Sequence, residues 1–433
     1  MLKFAPYAPK VPVFAVCPFG NWTSPITPEP SEQAAPALES VSHGAQVMLR
    51  VLAAAAFLLT FQSQLFAPLI PAFRREFLLD AQSAGSLVTL YMVSYGISTL
   101  FYGPISDRVG RRSVILVLLA GEVGIMALSA CVQTFEQLRW MRIASGLCSG
   151  GVIPLILALI GDLFAFRQRG RALGLIFSAC AGGSAFGSTC GALLNPSLGW
   201  RGELWVLAAA NAFVLAVAFC LRHHLPAAAP RRAAAPPWPK ATRDVLAGYI
   251  DLVTSARGAR TYAYVFCNGF FHYGIYTWLS TYFIERYGLD DRGIGWALLG
   301  YGVMGMFLAP SIGSFVDTYG RARVIPAAFS LAAFCAALLA LPLPVVAAGV
   351  IVTFLSFSYD LAYPPLVGIV TTLSPKRRGE AVGLNALMLF AGFGAGSLVF
   401  GRLMQLGAGT ALTCFAVVQL SLAIAARPLF RSE

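Results

Sequence analysis

Charge is scarce in this sequence. Of its 433 residues only 12% are Asp, Glu, Lys or Arg, while 58% are hydrophobic, and the mean hydropathy is +0.71. A soluble domain must cover its surface with polar groups, so this balance excludes one. Histidine occurs four times and no two cysteines form a Cys-x-x-Cys pair, which leaves a metal or redox centre without ligand spacing. Eight of the nine cysteines (Cys131, Cys148, Cys180, Cys190, Cys220, Cys267, Cys335, Cys414) lie inside apolar runs and read as small hydrophobes. A Gly-x-x-x-x-Gly-Lys loop and a zinc-protease motif are both missing, so neither nucleotide nor zinc chemistry is expected. The net charge of +12 raises the question of nucleic acid. The basic residues fall in short clusters between apolar runs, however, which is the topology signal of a membrane protein.

What the chain does have is apolar runs near 20 residues long, the length at which a helix crosses a hydrocarbon core about 30 Å thick. Twelve spans can be laid out, making an all-α polytopic membrane protein. The first half holds 50–71, 82–103, 112–132, 138–160, 170–192 and 200–221; the second holds 261–284, 294–316, 321–341, 345–371, 379–401 and 408–426. Residues 1–48 carry eight prolines and read as a disordered tail, with Met48 an alternative start. The expected domains are then a six-helix bundle over 49–222, a linker over 223–260, a second bundle over 261–428 and a tail over 429–433. The linker is Pro/Ala-rich and basic, with a short surface helix expected near 243–256. Lys and Arg are distributed 23 to 8 between the two sides, the larger share on the side of both termini, which places the termini in the cytoplasm.

Between the second and third spans stands Gly103-Pro-Ile-Ser-Asp107-Arg108-Val-Gly110-Arg111-Arg112, and 210 residues later the joint returns as Gly313-Ser-Phe-Val-Asp317-Thr-Tyr-Gly320-Arg321. A repeat of that period, flanked each time by membrane-length segments, divides the chain into two similar halves.

The first joint resembles the loop 2–3 signature of the major facilitator superfamily, Gly-x-Leu-x-Asp-Arg-x-Gly-Arg-Arg/Lys, with Ile105 in place of Leu. The second copy keeps Gly313, Asp317, Gly320 and Arg321 but has Thr318 for the Arg. Arg142-Ile-Ala-Ser145-Gly146 resembles the family's Arg-x-x-Gln-Gly motif, with Ser145 where Gln is usual. Asp162 followed by Arg167, Arg169, Gly170 and Arg171 resembles the joint between helices 4 and 5, Pro375-Lys-Arg-Arg-Gly379 its second-half partner, and Gly199-Trp200-Arg201 the opening of helix 6. The resemblance covers roughly residues 50–426. It departs from the antiporter pattern Gly-x-x-x-Gly-Pro-x-x-Gly-Gly, because Ser188 replaces the Pro and Ala192 the last Gly after Gly183 and Gly187.

The resemblance implies two pseudo-symmetric six-helix bundles rocking about a central cavity. It also implies a conformational latch made by Gly103, Asp107, Arg108, Gly110, Arg111 and Arg112, with Gly313, Asp317, Gly320 and Arg321 as the second copy; the alternative is a solvated turn whose arginines only fix topology. The residues themselves add the intramembrane charges Glu122, Arg142 and Asp360, each of which needs a partner or a polar cavity. Counting back from the 133–137 loop puts Glu122 and Arg142 roughly 9 Å apart in depth, so a direct pair requires helix tilt or long side-chain reach. Glu122 and Asp360 are candidates for proton coupling, and each reads equally as a structural hydrogen-bonded group. Gln62, Gln64, Arg142, Asn268, His272, Tyr276 and Tyr363 are candidate substrate contacts. Asn268, His272 and Tyr276 are spaced four apart and share a helix face, although Tyr and Trp near 276–282 equally suit an interfacial belt. Gly146, Gly150 and Gly151, with Gly182, Gly183, Gly187 and Gly191, allow helices 4 and 5 to approach closely, as Gly392 and Gly396 do in helix 11.

The function expected is secondary active transport of a small solute, leaning to proton-coupled export of organic or drug-like compounds. Proton-coupled uptake of a small organic acid or other metabolite is the alternative, and a non-transporting receptor on the same fold is a third. No enzyme activity, catalytic residue, metal or cofactor is expected, since so few intramembrane polar groups cannot assemble a nucleophile and base. The expected partners are the small-molecule substrate, protons and membrane lipid, with no nucleic acid and the monomer as the simplest assembly. The expected location is a bacterial inner membrane.

Overall fold

The computed structural model describes residues 43–164, 166–224, 247–374, 377–431 and 433, and among these there is no strand. In the first half α1 (His43–Leu65) is followed by the short α2 (Ile70–Phe77), then α3 (Ala81–Val109), α4 (Arg111–Cys131), α5 (Phe135–Leu163), α6 (Phe166–Leu193) and α7 (Asn195–Cys220). After α8 (247–254) the second half runs through α9 (Ala256–Tyr287), α10 (Asp291–Ala297), α11 (Val303–Tyr319), α12 (Arg321–Ala340), α13 (Val345–Leu373), α14 (Arg378–Met404) and α15 (Ala408–Leu429).

Side chains in the turns fix several helix starts. Asp80 accepts the amide of Ser83 at 3.0 Å to cap α3, and hydrogen bonding from Ser83 holds its carboxyl below the usual range. Thr134 and Gln137 form a capping box at α5, and Ser255 and Asp290 cap α9 and α10.

Two spans expected to be continuous are broken. The span 50–71 stops at Leu65, turns, and resumes as α2, with Pro68 in the turn and Pro71 at the new helix start, where a missing N–H costs nothing. The span 294–316 divides at Gly302, whose φ of +79° suits only glycine and whose N–H is taken by the Ser356 hydroxyl at 3.1 Å. The 1–48 tail is also shorter at its end than expected: α1 begins at His43, and Met48 is buried. Residues 1–42 and most of the linker lie outside the described residues, although α8 falls inside the surface helix expected near 243–256.

Ten helices among the described residues are long and apolar enough to cross a membrane. The two further crossings of the twelve-helix fold are α9 and the broken pair α10–α11. α9 falls short on hydropathy because Tyr273, Tyr276, Thr277, Ser280 and Thr281 punctuate it, and all five are buried inside the protein. Within the first bundle α1 packs on α6, and α3 on α5; within the second, α9 packs on α14, and α12 on α13 and α15. The glycines permit this. A Cβ on Gly187 would lie 2.3 Å from the Phe61 carbonyl and one on Gly396 1.8 Å from that of Phe270. The glycines of α5 and α6 thus bring those helices against α3 and α1 rather than against each other. The bundles meet where α3 packs on α14 and where α6 packs on α10 and α11.

Candidate functional site

The buried polar groups of the first bundle centre on α1, α4 and α5. On the first bundle α4 presents Glu122, fully buried. It accepts hydrogen bonds from Gln62 of α1 at 3.0 Å and from Ser149 and Ser145 of α5 at 2.5 and 3.2 Å. Gln62 also reaches the Ser149 hydroxyl at 3.2 Å. Ser145 takes the place of the family's Gln, and its shorter side chain puts a hydroxyl directly on the carboxylate. Glu122 is therefore a fully engaged acceptor, and it makes no bond to Arg142.

Arg142 enters the same space from α5 and is also fully buried. Its guanidinium lies between the rings of Phe66 and Tyr91, 3.7 and 4.1 Å from their centroids. Its Nε is 3.5 Å from the Leu87 carbonyl, while Nη1, Nη2 and the nearby Tyr91 hydroxyl have no hydrogen-bond partner. Two cation–π contacts return about 2 kcal/mol each when desolvated, which offsets part of the several kcal/mol that burying an ion costs but supplies no acceptor for its N–H groups. The arrangement leaves the four N–H groups of Nη1 and Nη2 without an acceptor, and a carboxylate is the group that would satisfy them.

The second bundle supplies the facing wall. Asn268, His272 and Tyr276 share one face of α9, as the spacing predicts. Asn268 Oδ1 and His272 Nε2 are buried without partners, and the His272 ring stacks on Tyr359 at 4.8 Å. Tyr273 stacks on Phe393 at 4.0 Å and faces Tyr91, Ser63 and Arg142 across the interface. Tyr276 donates to the Gln64 carbonyl at 2.7 Å and meets Ser188 at 2.9 Å, so it bonds both α1 and α6 of the other bundle. Gln64 thus contributes its backbone, while its Oε1 stays buried without a partner. Asp360 on α13 is half-buried and has no hydrogen bond or ion pair among the described residues; Tyr301 is within electrostatic reach of it. Tyr363, one turn along α13 from Asp360, accepts from Asn385 at 2.9 Å and is within electrostatic reach of Tyr95 on the other bundle. Trp278 and Tyr282, open to an interfacial reading by sequence, are buried and donate to the carbonyls of Ser397 and Leu339.

Sequence reasoning missed Phe66, Tyr91 and Tyr301. Tyr91 and Tyr95 stand four apart in an otherwise small-residue helix, a signal that was available. Tyr301 sits in the break between α10 and α11, its hydroxyl buried and unpartnered and its ring 4.4 Å from Tyr276. Only the break turns it inward.

The bonds that join the bundles mark one closed end. At the end away from Glu433, Arg75 pairs with Asp291 at 3.0 Å, Asn195 donates to the same carboxylate at 2.8 Å, and Gln405 donates to Gln82 at 3.0 Å. Trp278 is wedged beneath them between Gly85 and Gly401. At the other end Asp107 accepts from Arg111 at 3.4 Å, and Arg111 also holds Asp162 and the Ala158 carbonyl, all within the first bundle. Gly103 is exposed, and Arg108 and Arg112 are half-buried. Gly110 and Gly320 share the same positive-φ conformation, at 97° and 80°. Gly313 lies within α11, Asp317 is exposed and has no ion-pair partner among the described residues, and Arg321 lies against Gly368. The side chains of Arg167 and Arg169, together with Pro375 and Lys376, lie outside the described residues. Replacing Asp107 with Asn is expected to slow transport several-fold with expression unchanged, measured as turnover in proteoliposomes; wild-type turnover would reject a latch.

Comparison with known proteins gives this geometry a family. The model of the Major Facilitator Superfamily matches residues 52–397. A Bacillus subtilis protein named an uncharacterized MFS-type transporter, YceJ, is 26% identical over 354 residues, which are 81% of this chain and 87% of that protein. The multidrug transporter QDR2 of Candida glabrata is 30% identical over 149 residues, 34% of this chain and only 26% of its own length. Among solved structures, the human organic anion transporter MFSD10 superposes with a TM-score of 0.68 at 19% identity, covering 89% of this chain and 99% of that one; at that identity the likeness shows the fold alone. The chain is an integral membrane protein and belongs to the Major Facilitator Superfamily.

Proposed function

We propose that this protein is a proton-coupled secondary transporter of small organic anions, working by alternating access in a bacterial inner membrane with both chain ends in the cytoplasm. The observation that carries the reading is Arg142, a buried guanidinium held between two rings with both amino groups unpaired. A carboxylate meeting it gains charge-assisted hydrogen bonds in a site already emptied of competing donors and acceptors. Tyr91, Asn268 and His272 stand ready to receive the remaining polar groups of the solute, and Tyr273, Tyr359 and Phe393 its apolar ones. Glu122 lies within electrostatic reach of Arg142. An anion at Arg142 and a proton on Glu122 balance the charge between them, so each favours the other's binding, which is the linkage a symporter requires. The test is a proteoliposome assay with a trapped pH-sensitive dye and a panel of organic acids, sugars and cationic drugs. Proton entry alongside an added acid supports the reading, and indifference to every acid sinks it.

A second reading, proton-coupled export of cationic or amphipathic compounds, is favoured by Asp360, an acid with no partner, and by the aromatic group of His272, Tyr301 and Tyr359 on the same bundle. Under it, a cation added outside draws protons from an acid-loaded lumen, and Asp360→Asn is expected to abolish that efflux. Unchanged pH-driven flux in the mutant would move the proton to Glu122.

A further inference from the structure

Glu203 plays no part in the site described above. It sits on α7 near the closed end, 3% exposed, and neither carboxyl oxygen has a hydrogen-bond partner. The contrast with its neighbours is direct. Glu122 accepts from three side chains, and Glu76 is held by the Trp200 indole and by Arg201. A carboxylate buried without a donor is far more costly than the protonated carboxyl, so burial here favours the proton. Glu203 also lies beside the clasp. Asp291, which receives Arg75 and Asn195 from the other bundle, is within electrostatic reach of Glu203, as is Cys190 of α6. The other charged groups at this end are Arg75, paired with Asp291; Glu76, paired with Arg201; and Asp290 and Arg292, which flank Asp291 in sequence. A cleft of about 540 Å³ lined by Arg75, Pro196, Asp291 and Arg292 among others lies against the clasp.

We propose that Glu203 is a proton-binding site that governs the closed end: with its proton it lets Asp291 bind Arg75 and Asn195 across the bundles, and without it the clasp opens. The reason is electrostatic. An ionised Glu203 places a second negative charge beside Asp291 in a low-dielectric setting, competing for Arg75 and repelling the carboxylate at the interface. Closure is then tied to proton uptake from the water at that end, whatever the cargo.

The test uses the full chain in lipid nanodiscs without substrate. Native cysteines are replaced, and spin labels are placed at Leu78→Cys and Leu406→Cys, positions 91% and 69% exposed on opposite bundles at the closed end. Labelling is done at one pH, and distances are then read between about pH 5 and pH 10.5, a range that extends past the upper tail of shifted carboxyl groups. The parent is expected to show a short distance at the acid end and at least a tenfold shift toward a longer one at the alkaline end. Glu203→Gln and Glu203→Met are expected to hold the short distance throughout. A parent that does not respond to pH, or a Glu203→Gln variant that responds like the parent, overturns the proposal. So does failure of both variants to fold, because a carboxyl with no partner has no structural bond to lose.

Discussion

If the proposed anion site is right, replacing Arg142 with Gln should weaken anion binding by roughly 30-fold to several thousand-fold, the equivalent of about 2–5 kcal/mol for removing one partner of a buried charge pair. Lys at this position should recover part of the loss, since its point charge remains but the fork of two amino groups does not. The readout that separates binding from structure is thermal stability without ligand. In the empty protein the Nη1 and Nη2 atoms of Arg142 make no hydrogen bond, so Arg142→Gln relieves a buried unpaired charge and should leave the melting temperature unchanged or raise it. Calorimetry on the purified variants measures both quantities. An unchanged dissociation constant for every acid that the parent transports would remove Arg142 from the site, and a falling melting temperature would assign it to the fold.

Trp278→Ala should open the closed end. The side chain is only 2% exposed and is pressed between Gly85 on α3 and Gly401 on α14, with its indole N–H on the Ser397 carbonyl at 2.9 Å. Truncating a buried aromatic of this size costs about 3–5 kcal/mol. Part of that is lost within the second bundle and appears as a lower melting temperature. The part made against α3 exists only while the bundles are closed here, and it shifts the equilibrium toward the alternate state; about 1.4 kcal/mol of it suffices for a tenfold change. Gly85→Val tests the same contact from the other side, because even a single Cβ there would stand 2.8 Å from the Trp278 ring. In a cysteine-free background, both variants should label faster at a cysteine introduced at Ser280, which is 1% exposed and bonds the Ala67 carbonyl of the other bundle, with an impermeant thiol reagent applied from the closed end. Unaltered labelling in both would show that the wedge does not hold the bundles together.

Some of the site was legible before the fold was known. Arg142, Glu122 and Asp360 stand out because a charge within an apolar run is expensive wherever it points. The shared face of Asn268, His272 and Tyr276 follows from helical spacing. Glu203 escaped notice because it lies three residues after Trp200 at the edge of its span, where an acid reads as interfacial. The breaks at Pro68 and Gly302 had local signals that the smooth hydropathy of the surrounding runs concealed.

The sequence by itself determined the membrane class, the two similar halves, most helix positions and the joint motifs, since each depends on composition or on spacing within a few turns of helix. The tertiary structure alone decided that Glu122 bonds Gln62, Ser145 and Ser149 instead of Arg142, that Arg142 is left with two unpaired amino groups, and that Tyr276 bonds a residue 212 positions away. It also decided which end of the protein is sealed. The physical reason is that an apolar run specifies a helix crossing the membrane but not its rotation or its neighbours. Those are set by close approach at glycines and by pairing of buried polar groups from distant parts of the chain.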